Sequence, residues 1–301
     1  MGLTRRQFVK LNAALAASLA TANAWSTGSL IRKTIPSSGE QVTAMGIGTN
    51  RYGVTSDEDK AVLQDTLARF AELGGSIIDT APSYGRGLSE VVLGEIAGAA
   101  GLSRQLFWAT KVDARVPGPE QLEASLRKLG VDQADLIQVH NLRETAAQLP
   151  FLREAREEGL LRYIGVTTHR PTQHQDIEQL LKTEKLDFIQ VNYSLADRSA
   201  ADRLLPAAQE HGAAVLVNIP FARGRLFEKV GDRPLPDWAA EFDCRSWGNF
   251  FLKYIISHPA VTSPIPGTRK VRHAVDNMRA ATGRLPSPEL RQRQEALIDS
   301  L

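Results

Sequence analysis

Short apolar runs alternate with longer amphipathic segments through most of this sequence. Eight of the runs read as strands: 45–48, 76–79, 106–111, 136–140, 163–166, 188–192, 214–219 and 261–265. Between them, apolar positions recur at helical spacing. Ser56 and Asp57 can cap a helix that runs to Leu73, where Gly74-Gly75 ends it. Ser89 opens a second, to Ala97. Pro119-Glu120 starts a third in a first turn, where proline's missing N–H costs nothing, and Gly130 stops it. Further helices are predicted over 146–158, 173–182, 202–210, 246–257 and 272–281, with a last one over 288–299 outside the repeat. Ahead of the first βα unit, 31–35 and 41–45 alternate around Pro36-Ser37-Ser38-Gly39-Glu40, which reads as a β-hairpin.

Eight strand–helix units in about 240 residues are the size of a closed parallel (β/α)₈ TIM barrel. The expected architecture is an α/β barrel with an N-terminal hairpin and an extra C-terminal helix. A doubly wound nucleotide-binding sheet needs a glycine fingerprint after its first strand. Here Gly46-Ile47-Gly48 continues as Thr49-Asn50-Arg51, without the third glycine. No low-complexity linker divides the chain, so one domain is expected over 25–301.

Residues 1–24 read as an address rather than as part of the fold. Thr4-Arg5-Arg6-Gln7-Phe8-Val9-Lys10 matches the twin-arginine export pattern, an alanine-rich apolar run follows, and Ala22-Asn23-Ala24 is a small-x-small cleavage site. The apolar run is too short to span a bilayer, so no stable membrane insertion is expected after cleavage. The expected partner is the twin-arginine (Tat) export machinery, and the expected location is the periplasm or another exported compartment. That pathway carries folded proteins, which agrees with a cofactor loaded before export.

The charge balance follows from this division. The leader holds Arg5, Arg6 and Lys10; without them 33 basic side chains remain of 36, against 34 acidic ones. The remaining chain gives no electrostatic case for nucleic acid. The single cysteine, Cys244, excludes an internal disulfide and cysteine-based metal sites. The six histidines are scattered, with no H-x-H or H-E-x-x-H spacing, so no metal site is expected and a metal-dependent hydrolase lacks its ligands.

Four polar residues sit at or near the ends of successive predicted strands. Asp79 closes the second, with Tyr84 five residues on; Lys111 closes the third and His140 the fourth. Alone, each has a bland explanation: a rim charge, a half-buried wall, a structural histidine. Together, at the C-terminal rim where barrel enzymes place their chemistry, they fit carbonyl reduction. Hydride arriving at a carbonyl carbon leaves charge on oxygen, which must be met by a proton. A free tyrosine titrates near 10, too high to serve near neutrality. Lowering it by about 3 units requires roughly 4 kcal/mol, which one ammonium at about 4 Å supplies at an effective dielectric near 20. Lys111 is therefore expected to activate Tyr84, with Asp79 holding the lysine and His140 donating to the carbonyl oxygen.

From about residue 35 to about 282 the chain resembles the aldo-keto reductases. The resemblance rests on Asp79-Thr80-Ala81-Pro82-Ser83-Tyr84-Gly85 with Ser89-Glu90 and Leu93-Gly94, and on Ala109-Thr110-Lys111. It continues through Asp135-Leu136-Ile137-Gln138-Val139-His140, residues 159–166, Gln190-Val191-Asn192-Tyr193-Ser194, and Ile265-Pro266-Gly267-Thr268 through Asn277. It implies NADP(H) held extended over the barrel mouth, Tyr84 as general acid, and Lys111, Asp79 and His140 as its partners. Gly48, Thr49 and Gln190 fall at cofactor positions. Thr167 and Thr168 stand where the family has a Ser-Asn pair, and Asn218 where it commonly has an aromatic ring on the nicotinamide. Gly267, Thr268, Arg269, Lys270, His273 and Asn277 match the segment that holds the adenosine 2′-phosphate, which favours NADP over NAD. The implied substrate is a small aldehyde, ketone or sugar. Asn50, Arg51, Tyr52 and the stretch 221–242 are expected to line its pocket, and Trp238 and Trp247 are either pocket walls or packing. The alternative function is an exported NADP-binding subunit or redox sensor with little turnover, which the altered nicotinamide contacts favour and the intact tetrad opposes.

Overall fold

The computed structural model describes residues 29–113 and 116–301. The twin-arginine leader expected at 1–24 lies outside them. The chain opens with the expected hairpin, β1 (Arg32–Thr34) and β2 (Gln41–Thr43), paired antiparallel with Lys33 opposite Val42.

Eight parallel strands follow in sequence order: β3 (Ile47–Gly48), β4 (Ile77–Asp79), β5 (Phe107–Val112), β6 (Ala134–His140), β7 (Leu161–Thr167), β8 (Phe188–Asn192), β9 (Ala214–Asn218) and β10 (Ser263–Pro264). Each pairs with its neighbour in sequence. The ring closes through a parallel bridge between Gly48 and Gly267, with Gly46 N donating to Pro264 O at 2.9 Å and Gly48 N to Pro266 O at 3.1 Å. Helices α1 (Asp57–Glu72), α2 (Ser89–Ala99), α3 (Gly118–Leu129), α4 (Thr145–Glu157), α5 (His174–Thr183), α6 (Leu204–Glu210), α7 (Arg225–Val230), α8 (Trp247–Ile256) and α9 (Val271–Ala280) are interleaved with the strands, and α10 (Pro288–Ser300) follows the repeat. The Ser56 hydroxyl caps α1 by accepting from Asp59 N at 3.1 Å, as the sequence pattern proposes.

Side chains along a strand alternate faces, so residues two apart share the barrel interior. Outward positions such as Ile137, Val139, Ile164, Val166, Ile189, Val191, Val215 and Val217 join the helices in a continuous apolar shell. Inward positions grade along the barrel axis. At the N-terminal end Ile77, Phe107, Leu136, Tyr163 and Phe188 pack with Ile35 and Val42 of the hairpin, which plugs that end. One or two inward steps further on, these strands carry Asp79, Lys111, Gln138, His140, Thr167 and Gln190, and β9 carries Asn218 beyond Ala214 and Leu216. The apolar plug excludes water from below, and the polar layer faces the C-terminal mouth.

The sequence expectation differs from the structure mainly after β9. That stretch contains α7 and a tight helical turn at Asp237–Phe242, neither anticipated. Six residues are too few to display a helical period. Trp238 and Trp247 pack against Phe250 at ring-centroid distances of 5.5 and 5.0 Å, so they are packing residues and not pocket walls.

Candidate active site

Asp79 anchors the polar layer. Lys111 Nζ lies 2.8 Å from each of its carboxylate oxygens and donates at 2.6 Å to Thr80 O. Two amides complete the shell: Gln190 Nε2 at 2.7 Å and Gln138 Nε2 at 3.2 Å, both on Asp79 Oδ1. Asp79 and Lys111 are both buried, and such a pair is tolerable because these further partners satisfy the remaining lone pairs and protons. Gln138 was not anticipated, although its inward parity between Leu136 and His140 marks it.

Tyr84 reaches this cluster from the turn after β4. Its backbone N–H donates to Ala81 O at 3.0 Å, and the next residue, Gly85, lies against Gly53 of the loop after β3. A Cβ on Gly85 would come within 2.4 Å of Gly53 Cα, and its φ of +56° is left-handed, so glycine is required there. This backbone contact fixes where Tyr84 stands. Lys111 Nζ is 4.9 Å from the Tyr84 ring centroid, and the His140 ring meets Tyr84 edge-on at 6.0 Å. His140 Nδ1 in turn lies 3.9 Å from the buried Asp113 carboxylate. Sequence reasoning missed Asp113, which sits two residues past Lys111.

The electrostatic balance differs from the sequence expectation. Burial pushes the Tyr84 hydroxyl above the ordinary tyrosine value; the Lys111 ammonium pulls it down, and Asp79 adds to the rise. Burial outweighs the lysine's pull, which the carboxylate it grips also opposes, so Lys111 does not bring Tyr84 below its ordinary value. Burial would lower Lys111, but Asp79 and Tyr84 outweigh it and hold the ammonium above its usual range. At neutral pH the site therefore holds a neutral phenol beside a charged lysine.

A cleft of about 920 Å³ opens over these residues, within the range of small-molecule and cofactor sites. Asp79, Tyr84 and His140 face it, as do Gly48, Thr49, Thr167, Gln190 and Asn218. Gly267, Thr268, Arg269, Lys270 and His273 line its far end. Thr168 and Asn277 do not line it. The Thr168 hydroxyl donates at 2.5 Å to Gln173 Oε1, and Asn277 Nδ2 donates at 2.9 Å to Thr268 Oγ1. Both side chains brace cleft loops instead. Gln190 has both polar ends engaged, its oxygen accepting from Thr167 Oγ1 at 2.9 Å. Tyr52 is fully buried, and its hydroxyl donates at 2.7 Å to Thr268 O, tying the loop after β3 to the loop after β10. Of the stretch 221–242, only Phe221, Arg223 and Gly224 reach the cleft.

The wall fits a nicotinamide dinucleotide at both ends. Asn218 Nδ2 donates to Thr168 O at 3.0 Å, whereas its side-chain oxygen is buried without a partner and can accept from a carboxamide N–H. At the far end Arg269 Nε is buried without a hydrogen-bond partner, and Nη2 stands 3.9 Å from Asp59. Lys270 is exposed beside it. Burial, then Arg272 and Lys270, push the His273 imidazole down, so at neutral pH it offers a hydrogen bond and no charge. Among the described residues no group of three His, Cys, Asp or Glu side chains could hold a metal ion.

Backbone strain surrounds the mouth. Asn141, Leu142 and Glu144 after β6 and Ile219, Ala222 and Arg223 after β9 all have positive φ, from 49° to 61°. Each non-glycine in that region costs about 1–2 kcal/mol, and such positions concentrate at functional sites.

The sequence profile of the Aldo/keto reductase family matches residues 44–298. The chain belongs to the aldo/keto reductase family. It is accordingly an NAD(P)H-dependent oxidoreductase. Methylglyoxal reductase YeaE of Escherichia coli (strain K12) is 30% identical over 270 residues, covering 86% of this chain and 93% of that protein. The NADH-specific methylglyoxal reductase of the same organism is 29% identical over 222 residues, 62% of this chain and 65% of that one. Among solved structures, an aldo-keto reductase from Klebsiella pneumoniae in complex with NADPH superposes with a TM-score of 0.77 at 25% identity, over 90% of this chain and 96% of that one.

Proposed function

We propose that this aldo/keto reductase reduces the carbonyl group of a small molecule, with NADPH as the preferred cofactor and Tyr84 as the proton donor. The observation that carries the reading is the stack at the barrel mouth: a neutral Tyr84 phenol between the Asp79-held Lys111 ammonium and His140, open to one cleft. Bound along that cleft, a reduced nicotinamide supplies the hydride. The chain's own residues do the rest. His140 donates a hydrogen bond that orients the carbonyl oxygen toward Tyr84. As negative charge grows on that oxygen, the Tyr84 proton moves to it, and Lys111 stabilises the phenolate left behind. Asp79, gripped by Gln138 and Gln190, keeps Lys111 charged and aimed. Asn218 would receive the carboxamide through its unpartnered oxygen. Arg269 and Lys270 would hold the 2′-phosphate.

The test is reduction of a reactive aromatic aldehyde by the purified protein, followed through consumption of the reduced cofactor. NADPH is expected to serve better than NADH, and Arg269→Ala with Lys270→Ala should weaken NADPH at least tenfold while changing NADH little. Equal losses for both cofactors would remove the phosphate assignment. Tight NADP binding with no turnover of any aldehyde, ketone or quinone would favour the alternative of a binding or sensing subunit.

The export assignment rests on residues 4–24 alone. We infer that the twin-arginine machinery exports the folded protein to the periplasm. Arg5→Lys with Arg6→Lys should leave unprocessed protein in the cytoplasm, and continued accumulation of processed periplasmic protein would contradict it.

A further inference from the structure

The carboxylate behind His140 takes no part in the steps above. Asp113 continues the inward series of β5: Phe107, Ala109 and Lys111 point into the barrel, and Asp113 is the next position of that parity. The register that sets Lys111 opposite Gln138 and Val112 opposite Val139 brings Asp113 up to His140 one residue further. Its carboxylate is buried, with Oδ2 3.9 Å from His140 Nδ1. Gln121, in the first turn of α3, holds it from the other side. The Gln121 Oε1 accepts from Asp113 N at 2.6 Å, and Gln121 Nε2 donates to Asp113 Oδ1 at 3.5 Å. One carboxylate oxygen is thus turned to the helix and the other to the imidazole. His140 lines the cleft, and Asp113 sits behind it, outside the lining.

We propose that Asp113 is a positioning residue for the reduction: its carboxylate accepts a hydrogen bond from Nδ1–H of His140, so the ring presents Nε2–H to the carbonyl oxygen as a charged imidazolium. The inference rests on the reductase reading above and adds a residue to its machinery. A neutral imidazole with its proton on Nδ1 has none left on Nε2 to donate. A ring protonated at both nitrogens carries a charge that burial disfavours, and a carboxylate within about 4 Å favours that charged form. Active-site hydrogen bonds are often long before substrate binds, and a small rotation of the ring closes the gap from 3.9 Å. The positive ring then faces the oxygen on which negative charge grows, where it stabilises more than a neutral donor does. His140 keeps both protons throughout, and the proton transferred still comes from Tyr84. The other titratable groups beside the ring are Tyr84, edge-on at 6.0 Å, Lys111 on β5, and His169, whose Nδ1 lies 3.0 Å from Asn141 Oδ1. Lys111 is balanced by Asp79 and Tyr84 is neutral, so Asp113 supplies the charge that a protonated ring needs.

The experiment reads the ring and then the reaction. Nitrogen magnetic resonance of histidine-labelled parent protein, with the His140 signal assigned by its loss in His140→Gln, should show both ring nitrogens protonated at about pH 8. In Asp113→Asn one of them should be unprotonated. In reduction of a reactive aromatic aldehyde with NADPH, Asp113→Asn should lower kcat at least about tenfold at about pH 8, with KM and NADPH affinity within about threefold of the parent. The loss should shrink towards about pH 6, because below the ordinary imidazole range the ring is charged without help. As pH rises through that range, the variant loses the charge and the parent keeps it. In a His140→Gln background, Asp113→Asn should cost less than about a further twofold, since the carboxylate acts through the ring. A singly protonated His140 in the parent overturns the proposal. So does a loss in Asp113→Asn that is equal at both pH values or undiminished in the His140→Gln background, either of which makes Asp113 a structural residue. If Asp113→Asn does not fold, the parent spectrum decides alone. If the parent turns over no carbonyl compound while its spectrum shows the imidazolium, the reductase reading has failed and the role in reduction falls with it, while the Asp113–His140 pairing stands.

Discussion

At the scale of single residues, the site turns on how three charges share one buried space. The Lys111 ammonium pulls the Tyr84 hydroxyl down, but burial pushes it up more strongly and Asp79, 2.8 Å from the ammonium nitrogen, adds to the rise. Burial then decides the sign, and the phenol titrates above its ordinary value. The consequence for pH is direct. Tyr84 must be protonated to donate, and Lys111 must be charged to stabilise the phenolate. Both groups are shifted upward, so both keep their protons from about pH 6 to about pH 9. The pH profile of kcat/KM for reduction should be flat across that window and fall only beyond about pH 10. An alkaline limb with a midpoint near 7 to 8 that is abolished in Tyr84→Phe would show that the lysine's field wins after all.

Much of this was legible in the sequence, because each of Asp79, Lys111 and His140 ends an apolar run of its own. What was not legible was their mutual bonding. Gln138 and Gln190 reach Asp79 across 59 and 111 positions of chain, a pairing that appears only once the strands close into a ring. Thr168 and Asn277 sit at cofactor positions by resemblance, yet their side chains brace loops. No local pattern reports which way a side chain turns at the edge of a cleft.

At the scale of elements, strand parity and loop contacts place the chemistry. The inward series Ile77 then Asp79, and Leu136 then Gln138 then His140, show one strand face passing from plug to catalytic layer in steps of two. Strands and long helices were readable because both periods repeat several times within them. The six-residue α7 was not readable, since it completes fewer than two turns. Tyr84 is the exception among the four site residues, standing on a turn rather than on a strand. Its position depends on the contact between Gly85 and Gly53. Gly85→Ala would put a methyl group 2.4 Å from Gly53 Cα in a backbone conformation that alanine resists. The turn must shift, and Tyr84 with it. A misplacement of about 1 Å costs on the order of a hundredfold in rate. We expect kcat to fall by about that factor while far-ultraviolet circular dichroism is retained and NADPH affinity changes little. Unchanged kcat would show that the glycine contact does not position the tyrosine.

At the scale of the whole molecule, the barrel separates stability from function along its axis. The hairpin and the apolar layers seal one end, and the strained loops and charged cleft crowd the other. Membership of the aldo/keto reductases rests on residues 44–298, nearly the whole barrel. The central claim is that this barrel delivers a proton from Tyr84 to a carbonyl oxygen. Its most direct test is the single-atom change Tyr84→Phe, assayed for reduction of a reactive aromatic aldehyde, with NADPH binding followed separately by fluorescence. The account predicts a fall in kcat of at least about a hundredfold, the usual scale for a lost general acid, with NADPH affinity within about twofold of the parent. A Tyr84→Phe protein that binds NADPH normally and keeps most of its kcat would contradict it.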